Sequence, residues 1–362
     1  MERVIVHVDM DYFYAAIEER EDPSLKGKAI VVCMYSNRGE EGGAVSTCNY
    51  TARDMGIHSA MPCRQARSIY PDAVFLPVRK DFYKEVSDDI MKLLQSNADT
   101  DEAFEQISID EAFLEITESS SGNFKHSFEI ANTIKEEVKR NAGITCSVGI
   151  GPNKLIAKMA SSFQKPDGIT VIEPEKVQEF LSPMPVKKLW GIGRVTEEKL
   201  SEMGIESIGE LAKLDVLKLV EAFGKNRGTL LKRLASGTDE SPVKEKTSSD
   251  QIGRMASLKH DSRDEKMVFE LMDELVEDVI AKATSRNVAF RSITATVIYS
   301  NFKTETKSRT LNHAVYDKEI LRKNAMDTMQ HFLDNSRLNF RRIGIRVGNL
   351  QERTGQKSLF DF

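Results

Sequence analysis

The chain has 362 residues, of which 40% are hydrophobic and 30% are charged. These values are typical of a globular protein of two to four domains and argue against a membrane protein, because no apolar run approaches the roughly 20 residues of a membrane helix. The net charge of −5 is uneven, since residues 1–243 carry −9 and residues 244–350 carry +4. Such a division fits a carboxylate-bearing domain joined to a nucleic-acid-binding domain, and it also fits ordinary solvated surfaces.

The first predicted element is a buried strand over residues 4–8 that ends on Asp9. Further along, two short β-prone runs between 105 and 116 flank Asp110 and Glu111, a pattern that favours a tight hairpin. Consecutive strand residues point to opposite faces of a sheet. Asp110 and Glu111 therefore share a site only if the hairpin turn breaks the pleat.

A helix is predicted over residues 128–140, where apolar side chains are spaced for one face, and a strand is predicted over 145–150. We therefore expect an α+β fold whose sheet carries helices on one face. The insertion between the first strand and the hairpin is rich in small residues and is expected to form a small separate lobe.

Residues 168–237 favour helices throughout, and the polar stretch 237–250 predicts a linker. A second α+β unit is expected beyond this linker. Its predicted elements are a helix over 267–283 and strands over 292–299 and 342–347.

The four cysteines stand far apart and lack the spacing of a zinc site. The first residues lack the basic and then apolar pattern of a signal peptide. We therefore expect reduced, partly buried thiols in a cytoplasmic protein.

Three acidic residues, Asp9, Asp110 and Glu111, could converge where the first strand meets the hairpin. Carboxylate oxygens are the ligands that Mg²⁺ prefers, and paired metal ions suit phosphoryl transfer. The competing interpretation is that acids at strand ends are solvated turn residues. For an Asp-x-Asp pattern alone, that interpretation is the more frequent one.

Four longer segments, in the same order and spacing, resemble the signature segments of Y-family DNA polymerases, closest to the DNA polymerase IV branch of bacteria and archaea. The resemblance runs from residue 4 to about residue 347. The segments are 8–18, 44–53, 108–113, and 147–154 together with 165–168.

The resemblance implies a right-hand polymerase with a ferredoxin-like palm, small fingers, a helical thumb with a helix-hairpin-helix element, and a C-terminal α+β little-finger domain. The implied boundaries are palm 1–12 and 79–172, fingers 13–78, thumb 173–240, linker 241–245, little finger 246–350, and a flexible tail 351–362.

The resemblance also implies the chemistry. Asp9 and Asp110 would bridge two Mg²⁺ ions, Glu111 would bind the catalytic ion, and the carbonyl of Met10 would help to hold the nucleotide-bound ion. The primer 3′-hydroxyl would then attack the α-phosphate of a deoxynucleoside triphosphate, and pyrophosphate would leave. The lobes leave no room for a proofreading exonuclease, so low-fidelity synthesis that bypasses damaged template bases is expected.

By the same resemblance, the nucleotide would be bound by Tyr12, Phe13, Tyr14, Tyr50, Arg53 and Lys165. Arg and Lys donors suit phosphate oxygens. Tyr14 matches the steric-gate position, where a ring leaves no room for a 2′-hydroxyl. Without the motif, Tyr14 could equally be a core aromatic residue.

Primer-template DNA is the expected macromolecular ligand. Gly191 and Gly193 resemble a helix-hairpin-helix element, whose backbone amides approach phosphate, although a plain glycine-rich cap is the alternative. The single tryptophan, Trp190, is expected to pack under this hairpin. Basic residues of the last domain are expected to follow the phosphate backbones: Arg254, Lys303, Arg309 and Arg342, with Lys259, Lys307, Arg341 and Arg346 as further candidates.

The last residues resemble a sliding-clamp-binding motif, with Gln356, Leu359, Phe360 and Phe362 as the contact positions. The chain departs from that motif because it ends before a second terminal aromatic residue. The bacterial clamp motif also fits, and the Leu-Phe-Asp-Phe ending favours an archaeal clamp. We expect a monomer that binds no membrane.

Two other classes of protein remain as alternatives. A nucleotidyl cyclase would share a two-metal palm, but it leaves the segment 44–53, the thumb and the tail unexplained. A non-catalytic clamp adaptor descended from a polymerase is the second alternative, and the presence of all three carboxylates counts against it.

Overall fold

Residues 1–36, 38–245 and 251–353 are described in the computed structural model. The chain packs into two units. Unit 1 comprises Met1–Val32, Thr47–His58 and Asp72–Lys246, and unit 2 comprises Cys33–Ser46, Ser59–Pro71 and the described part of Thr247–Phe362. The four-lobe boundaries expected from the sequence stay a prediction.

The strands of the described residues are β1 (Ile5–Met10), β2 (Ile30–Ser36), β3 (Gly39–Cys48), β4 (Val74–Pro77), β5 (Phe104–Gln106), β6 (Glu111–Glu115), β7 (Cys146–Gly151), β8 (Ile169–Val171), β9 (Gln251–Ser262), β10 (Val288–Tyr299), β11 (Thr304–Val315), β12 (Phe340–Gly348) and β13 (Gln351–Glu352). The α-helices are α1 (Phe13–Glu21), α2 (Tyr50–Asp54), α3 (Cys63–Ile69), α4 (Lys80–Gln95), α5 (Phe124–Ala142), α6 (Lys154–Ser161), α7 (Val177–Leu181), α8 (Arg194–Glu202), α9 (Ile208–Lys213), α10 (Val216–Phe223), α11 (Lys225–Ala235), α12 (Glu265–Ser285) and α13 (Lys318–Asn335). Short 3₁₀ turns lie at Pro23–Leu25, Pro174–Lys176 and Val186–Lys188.

Unit 1 is organised around a five-stranded sheet of order β5-β6-β1-β7-β8. The central strand β1 is buried along its whole length and pairs antiparallel with both β6 and β7. Val4, Val6 and Val8 pack into a core with apolar residues of α1, α4 and α5. Successive strand residues alternate, so Ile5, His7 and Asp9 face the other side.

Helix α6 lies on that other side of the sheet, where Ala157 packs against Ile5 and Phe113. The expectation that helices cover one face only was therefore wrong. Gly149 on β7 explains the close approach, because a Cβ there would come within 2.0 Å of the Ala157 carbonyl oxygen and 2.1 Å of the Ser161 nitrogen. A glycine at this position lets the helix backbone lie directly on the strand.

The helix predicted over 128–140 is confirmed as α5, which is longer at both ends. Its start is set by Asn123, whose side chain accepts from the amide of Lys125 (2.9 Å). Its end is set by Gly143, which has φ of +68°. The expectation of helices throughout 168–237 missed β8, a three-residue strand that pairs parallel with β7.

The start of the predicted linker is fixed on unit 1 by backbone and apolar contacts. Arg3 donates to the carbonyl of Ser241 (3.1 Å), and Lys154 donates to the carbonyl of Pro242 (3.1 Å). Val243 is 5% exposed and packs with Ile5. This part of the linker is therefore not a free spacer, and 246–250 lie outside the described residues.

Unit 2 contains a second sheet, of order β11-β10-β12-β9, with β13 added to one end of β10. Its core contains apolar residues of α12, α13 and alternate strand positions such as Ile343, Ile345 and Val347. The intervening residues Arg342 and Arg346 are exposed. The helices thus cover one face of this sheet and leave the other polar.

The four cysteines are free, and all of them are buried. Among the described residues no helix is both long and apolar enough to span a membrane. The cytoplasmic location stays a prediction.

Candidate active site

Strand pairing brings the predicted carboxylates together at one end of the unit 1 sheet. Asp9 lies opposite Glu111 in the register of β1 and β6. Asp110 precedes β6 and lies in the hairpin turn, where its carbonyl accepts from the amide of Met10 (2.9 Å). The Asp110 and Glu111 carboxyls lie close enough to interact, because Glu111 acts to raise the pKa of Asp110.

Burial sets the electrostatics of this cluster. It raises the pKa of the Asp9 carboxyl to about 7, and the nearby Glu111 acts in the same direction while Lys165 opposes it. Burial also raises the pKa of Asp110, against a hydrogen bond from Ser108. The cluster thus holds more negative charge than its surroundings solvate, and it favours bound cations.

Two lysines from the segment around α6 supply positive charge to the carboxylates. The ammonium group of Lys165 pairs with Asp9, and that of Lys158 pairs with Glu111 at 2.6 Å. In the described parts of the chain, no three carboxylate, imidazole or thiol groups already form a metal cage. The carboxylates are instead arranged around these two ammonium groups.

The second aspartate of the Asp-x-Asp pattern, Asp11, has a structural role. It is fully buried and accepts from the hydroxyls of Thr145 and Ser147 (2.8 Å each) and from the amide of Asp167 (2.9 Å). These bonds occupy both carboxylate oxygens. Asp11 therefore ties the end of β1 to β7 and to the segment that carries Lys165.

The residues predicted to bind triphosphate lie beside the start of α1 and α2. Tyr12 has φ of +38°, and its ring meets that of Tyr50 edge-on at 5.4 Å. Arg53 lies over the Tyr50 ring at 4.8 Å and donates to the Cys48 carbonyl (3.1 Å). The Tyr50 hydroxyl is buried and has no hydrogen-bond partner among the described residues. A buried donor without a partner indicates that a polar ligand belongs there.

Tyr14, the predicted gate, rests on a fixed aromatic support. Its ring stacks on that of Tyr83 at 4.2 Å with an interplanar angle of 14°. Tyr83 is fully buried, and its hydroxyl donates to Glu18, which also accepts two bonds of 2.8 Å from Arg79. The neighbouring Phe13 is 2% exposed, so only its backbone could face a nucleotide.

The predicted helix-hairpin-helix glycines are placed at the start of α8. Gly191 has φ of +92°, and its carbonyl accepts from Arg227 (2.6 Å). Gly193 is the residue before α8 and provides no side-chain cap. Trp190 lies 6.0 Å from the Phe113 ring and 5.7 Å from the Lys158 ammonium, so it packs towards β6 and α6.

The basic residues of unit 2 divide between the two faces of its sheet. Arg342 and Arg346 alternate with the buried positions of β12 and lie on the helix-free face. Arg254 pairs in register with Ile345 and lies 3.7 Å from Asp278 of α12, so it belongs to the helix side. Arg309 pairs with Ile293 and has the same orientation.

Other predicted DNA contacts are held by acids. Lys303, in the turn before β11, bonds to Glu305 (3.1 Å). Arg341 makes two bonds to Asp261 (3.2 and 2.8 Å). The clamp-binding positions, Gln356, Leu359, Phe360 and Phe362, lie outside the described residues.

The sequence reasoning missed two residues of the site, His7 and Lys158. His7 is fully buried on the same face of β1 as Asp9, and Lys158 is on α6. The signal available was the alternation of β1, which places residue 7 beside residue 9. A histidine in an apolar strand is more often a simple core residue, so the pattern gave no reason to select it.

Comparison with known proteins places this geometry in a family. The model of the impB/mucB/samB family matches residues 8–162, that of its C-terminal domain matches 249–359, and the IMS family HHH motif matches 174–205. DNA polymerase IV of Methanosarcina acetivorans is 58% identical over 365 residues, which cover all of both chains. The chain belongs to the Y-family DNA polymerases, in the DNA polymerase IV branch. It is accordingly a DNA-directed DNA polymerase, as the motifs predicted.

Other relatives extend the family across archaea and bacteria. DNA polymerase IV of Saccharolobus solfataricus is 34% identical over 99% of both chains. That of Clostridium perfringens is 35% identical over 97% of this chain and 95% of its own. The similarity therefore spans the whole length of a Y-family polymerase.

Solved Y-family structures match the fold. The "Y-family DNA polymerase chimera Dbh-Dpo4(243-245)-Dbh" has a TM-score of 0.90 at 34% identity and covers 97% of this chain and 100% of its own. The "Insertion ternary complex of Dbh DNA polymerase" covers the same shares at 34% identity with a TM-score of 0.67. The predicted α+β right-hand polymerase fold is thus confirmed.

Proposed function

We propose that this polymerase extends a primer 3′ end by phosphoryl transfer with two Mg²⁺ ions, with low fidelity, without proofreading, and past damaged template bases. The observation that carries the proposal is the convergence of Asp9, Asp110 and Glu111, with ammonium groups already paired to two of them. Phosphoryl transfer requires positioning and neutralisation of charge, which such a cluster supplies.

The donor chemistry of the cluster fits magnesium. Three hard carboxylates, with the Met10 carbonyl as a further oxygen, are the ligands that this ion prefers. Burial raises the pKa of Asp9 to about 7, and the Coulombic gain from a bound divalent cation would remove that penalty. When bound, the two ions would neutralise charge at the attacking and leaving oxygens. Lys165, now paired with Asp9, would then be available to a triphosphate.

The residues beside the carboxylates support a nucleotide site. The partnerless hydroxyl of Tyr50 and the adjacent guanidinium of Arg53 offer donors to phosphate oxygens. Tyr12 and the backbone of Phe13 would contact the sugar and triphosphate from the same turn. Tyr14, stacked on Tyr83, would exclude a 2′-hydroxyl because its ring cannot move back.

DNA binding is assigned to the thumb and the little finger. The boundaries proposed for the lobes are palm 1–12 and 79–172, fingers 13–78, thumb 173–240, linker 241–245, little finger 246–350 and tail 351–362. Gly191 and Gly193 at the start of α8, and Arg342 and Arg346 on the helix-free face of unit 2, are the proposed phosphate contacts. A ternary complex of a solved relative supports two ligands bound together.

The C-terminal residues are proposed to bind a sliding clamp through Gln356, Leu359, Phe360 and Phe362. Burying two or three such apolar side chains would stabilise a weak complex by about 1.5–3 kcal/mol each before ordering costs. Deleting 356–362 should leave clamp-free nucleotide addition unchanged and remove most clamp stimulation.

Primer extension with purified protein and Mg²⁺, on intact and lesion-bearing templates, tests the proposal. Asp110→Ala should reduce nucleotide addition by about a thousandfold or more while primer-template affinity stays within a few-fold, because this carboxylate serves the metal ions. Glu111→Ala should be almost as impaired.

Asp88→Ala removes an exposed acid, paired with Lys84, and is the matched control. Normal extension by Asp110→Ala would refute the metal assignment, and no extension by the unmodified chain would favour an adaptor.

A further inference from the structure

A series of hydrogen bonds links the backbone of α6 to a buried histidine. The Ser161 hydroxyl donates to the carbonyl oxygen of Lys158 (2.9 Å). A hydroxyl has one proton, so Ser161 Oγ must accept from His7 Nδ1, which lies 2.7 Å away. The neutral imidazole therefore carries its proton on Nδ1 and presents a lone pair at Nε2.

That lone pair faces the ammonium group of Lys158, whose Nζ is 3.4 Å from Nε2. The same ammonium donates to Oε2 of Glu111 over 2.6 Å. His7 Nε2 itself is 4.0 Å from this oxygen. His7 and Glu111 thus bind one ammonium group together, each using a different proton.

The surroundings keep His7 neutral and immobile. The Lys158 ammonium lies 3.4 Å from Nε2, a contact that requires the lone pair of a neutral ring. The ring is fully buried and lies 4.7 Å from that of Phe113. Across the sheet its partner is Gly149, the residue that lets α6 approach. Nε2 of His7 is therefore a fixed acceptor for the lysine.

We propose that His7 is a positioning residue for nucleotide addition: through Lys158 it fixes the orientation of Glu111 before a metal ion binds. The inference rests on the proposed role of Glu111 as a magnesium ligand. Groups that hold a metal-binding carboxylate in place commonly contribute about tenfold or more to metal affinity. A histidine that only fills the core would contribute to stability and leave metal affinity unchanged.

The test compares His7→Phe with His7→Gln in the full chain. Phenylalanine keeps a ring and loses both nitrogens, whereas glutamine keeps an acceptor for Lys158 and a donor for Ser161. Mn²⁺ binding without nucleotide, measured by electron paramagnetic resonance, and the Mg²⁺ concentration for half-maximal single-nucleotide addition are the two readouts. We expect His7→Phe to weaken both by about tenfold and His7→Gln to recover most of the loss.

Ile5→Val is the matched packing control. Ile5 lies two residues away on the same face of β1 and contacts the same Phe113 cluster, without a bond to Lys158. It should lower the melting temperature and leave Mn²⁺ affinity unchanged. If His7→Phe also changes only the melting temperature, the proposal is overturned.

Lys158→Met shows whether His7 acts through the lysine. We expect this variant to weaken Mn²⁺ binding at least as much as His7→Phe, and the double variant to be no weaker than Lys158→Met alone. Independent, multiplying effects would overturn the proposal. Tighter Mn²⁺ binding by Lys158→Met would also overturn it, because the ammonium would then compete with the metal.

Glu111→Gln separates this inference from the proposed function. Loss of Mn²⁺ binding and of nucleotide addition in Glu111→Gln, with His7→Phe unchanged, would overturn the positioning role alone. Normal Mn²⁺ binding and addition in Glu111→Gln would overturn the assignment of Glu111 as a ligand, and the role of His7 with it.

Discussion

The two five-stranded sheets that the structure describes differ in the burial of their charged side chains. The unit 1 sheet is covered on both faces and buries Asp9, Asp11 and Glu105. The unit 2 sheet has helices on one face and exposes Arg342 and Arg346 on the other. The buried acids Asp11 and Glu105 have fixed hydrogen-bond partners in unit 1, whereas Arg342 and Arg346 in unit 2 are exposed to solvent until a ligand arrives.

A carboxylate from each unit shows the consequence. Burial raises the pKa of Asp9 to about 7. In unit 2, hydrogen bonds from Arg341 and Arg38 lower the pKa of Asp261, which is only partly buried. In unit 1 the charged form of Asp9 is destabilised by burial, and a bound cation would stabilise it. In unit 2 the charge of Asp261 is already neutralised by Arg38 and Arg341.

The largest loss of stability should come from breaking a buried ion pair in unit 1. Lys154 donates to Glu105 over 2.6 Å, with both side chains below 10% exposure. Lys154→Met would leave the buried Glu105 carboxylate without its charged partner, with only the amide of Lys244 still bonded to it (3.4 Å). We expect the free energy of unfolding of unit 1 to fall by about 3–5 kcal/mol. Urea unfolding followed by the fluorescence of Trp190, the only tryptophan, reports on this unit.

Lys176→Met is the control for that experiment. Lys176 pairs with Glu179 at 3.0 Å, but both side chains are more than half exposed. Exposed pairs stabilise by at most about 1 kcal/mol, so the change should be small. Equal losses of unfolding free energy in Lys154→Met and Lys176→Met would mean that burial does not determine how much an ion pair stabilises the chain.

The stability of unit 1 should depend on pH through the Asp9 carboxyl. The Asp9 carboxyl has a pKa of about 7 in the folded chain and an ordinary value of 3.8 when unfolded. The folded chain therefore binds this proton more tightly, and protonation of Asp9 stabilises the fold fully below about pH 4. This stabilisation is lost as pH rises through about 7, with a limiting slope of about 1.4 kcal/mol per pH unit.

The measurement is urea unfolding between pH 4 and 8 with a chelator present, for the unmodified chain and Asp9→Asn. The difference between the two chains isolates the titration of residue 9. It should grow with pH in this window and shrink when Mg²⁺ is added. A difference that is independent of pH would show that Asp9 is not protonated in the folded chain.

A third prediction concerns Tyr14, the proposed steric gate. Tyr14→Ala removes the ring that stacks on Tyr83, and we expect ribonucleotide incorporation relative to the matching deoxynucleotide to rise by about tenfold or more. Tyr14→Phe keeps the ring and should keep the discrimination. Incorporation ratios from single-nucleotide addition decide this, and an unchanged ratio for Tyr14→Ala would place the gate elsewhere.

The smallest changes should be losses of DNA affinity in variants of the helix-free face of the unit 2 sheet. Arg342→Ala and Arg346→Ala should each weaken primer-template binding by a few-fold and reduce the slope of log K against log salt by about one. Arg254→Ala, on the helix side and beside Asp278, should do neither. Fluorescence anisotropy at several salt concentrations measures this, and equal losses for Arg254→Ala would contradict the assignment of faces.

The sequence predicted the elements that depend on local pattern or on a long motif. The three carboxylates, the long helix α5 and the second α+β unit follow from residue type and spacing. The structural role of Asp11 could not be predicted, because its partners Thr145 and Ser147, just before and within β7, lie more than 130 residues away in the sequence.

Other misses have the same physical origin, which is packing between distant segments. α6 can lie this close to the second face of the sheet because Gly149 and Gly151 of β7 have no side chain. Strand β8 is too short for a periodic signal and forms because β7 offers it an edge. The orientation of Arg254 depends on the register of β9 against β12, which its basic character does not reveal.

The contacts at the start of the linker have a consequence for how this segment can vary. Arg3 and Lys154 bind the carbonyl oxygens of Ser241 and Pro242, groups that every amino acid possesses. Only Val243 contributes a buried side chain. Random mutagenesis of 241–243 should therefore recover active clones with many residues at the first two positions and a small apolar set at the third. We therefore expect Arg3 and Lys154, whose side chains make these bonds, to tolerate fewer substitutions than residues 241 and 242, which contribute only backbone carbonyls.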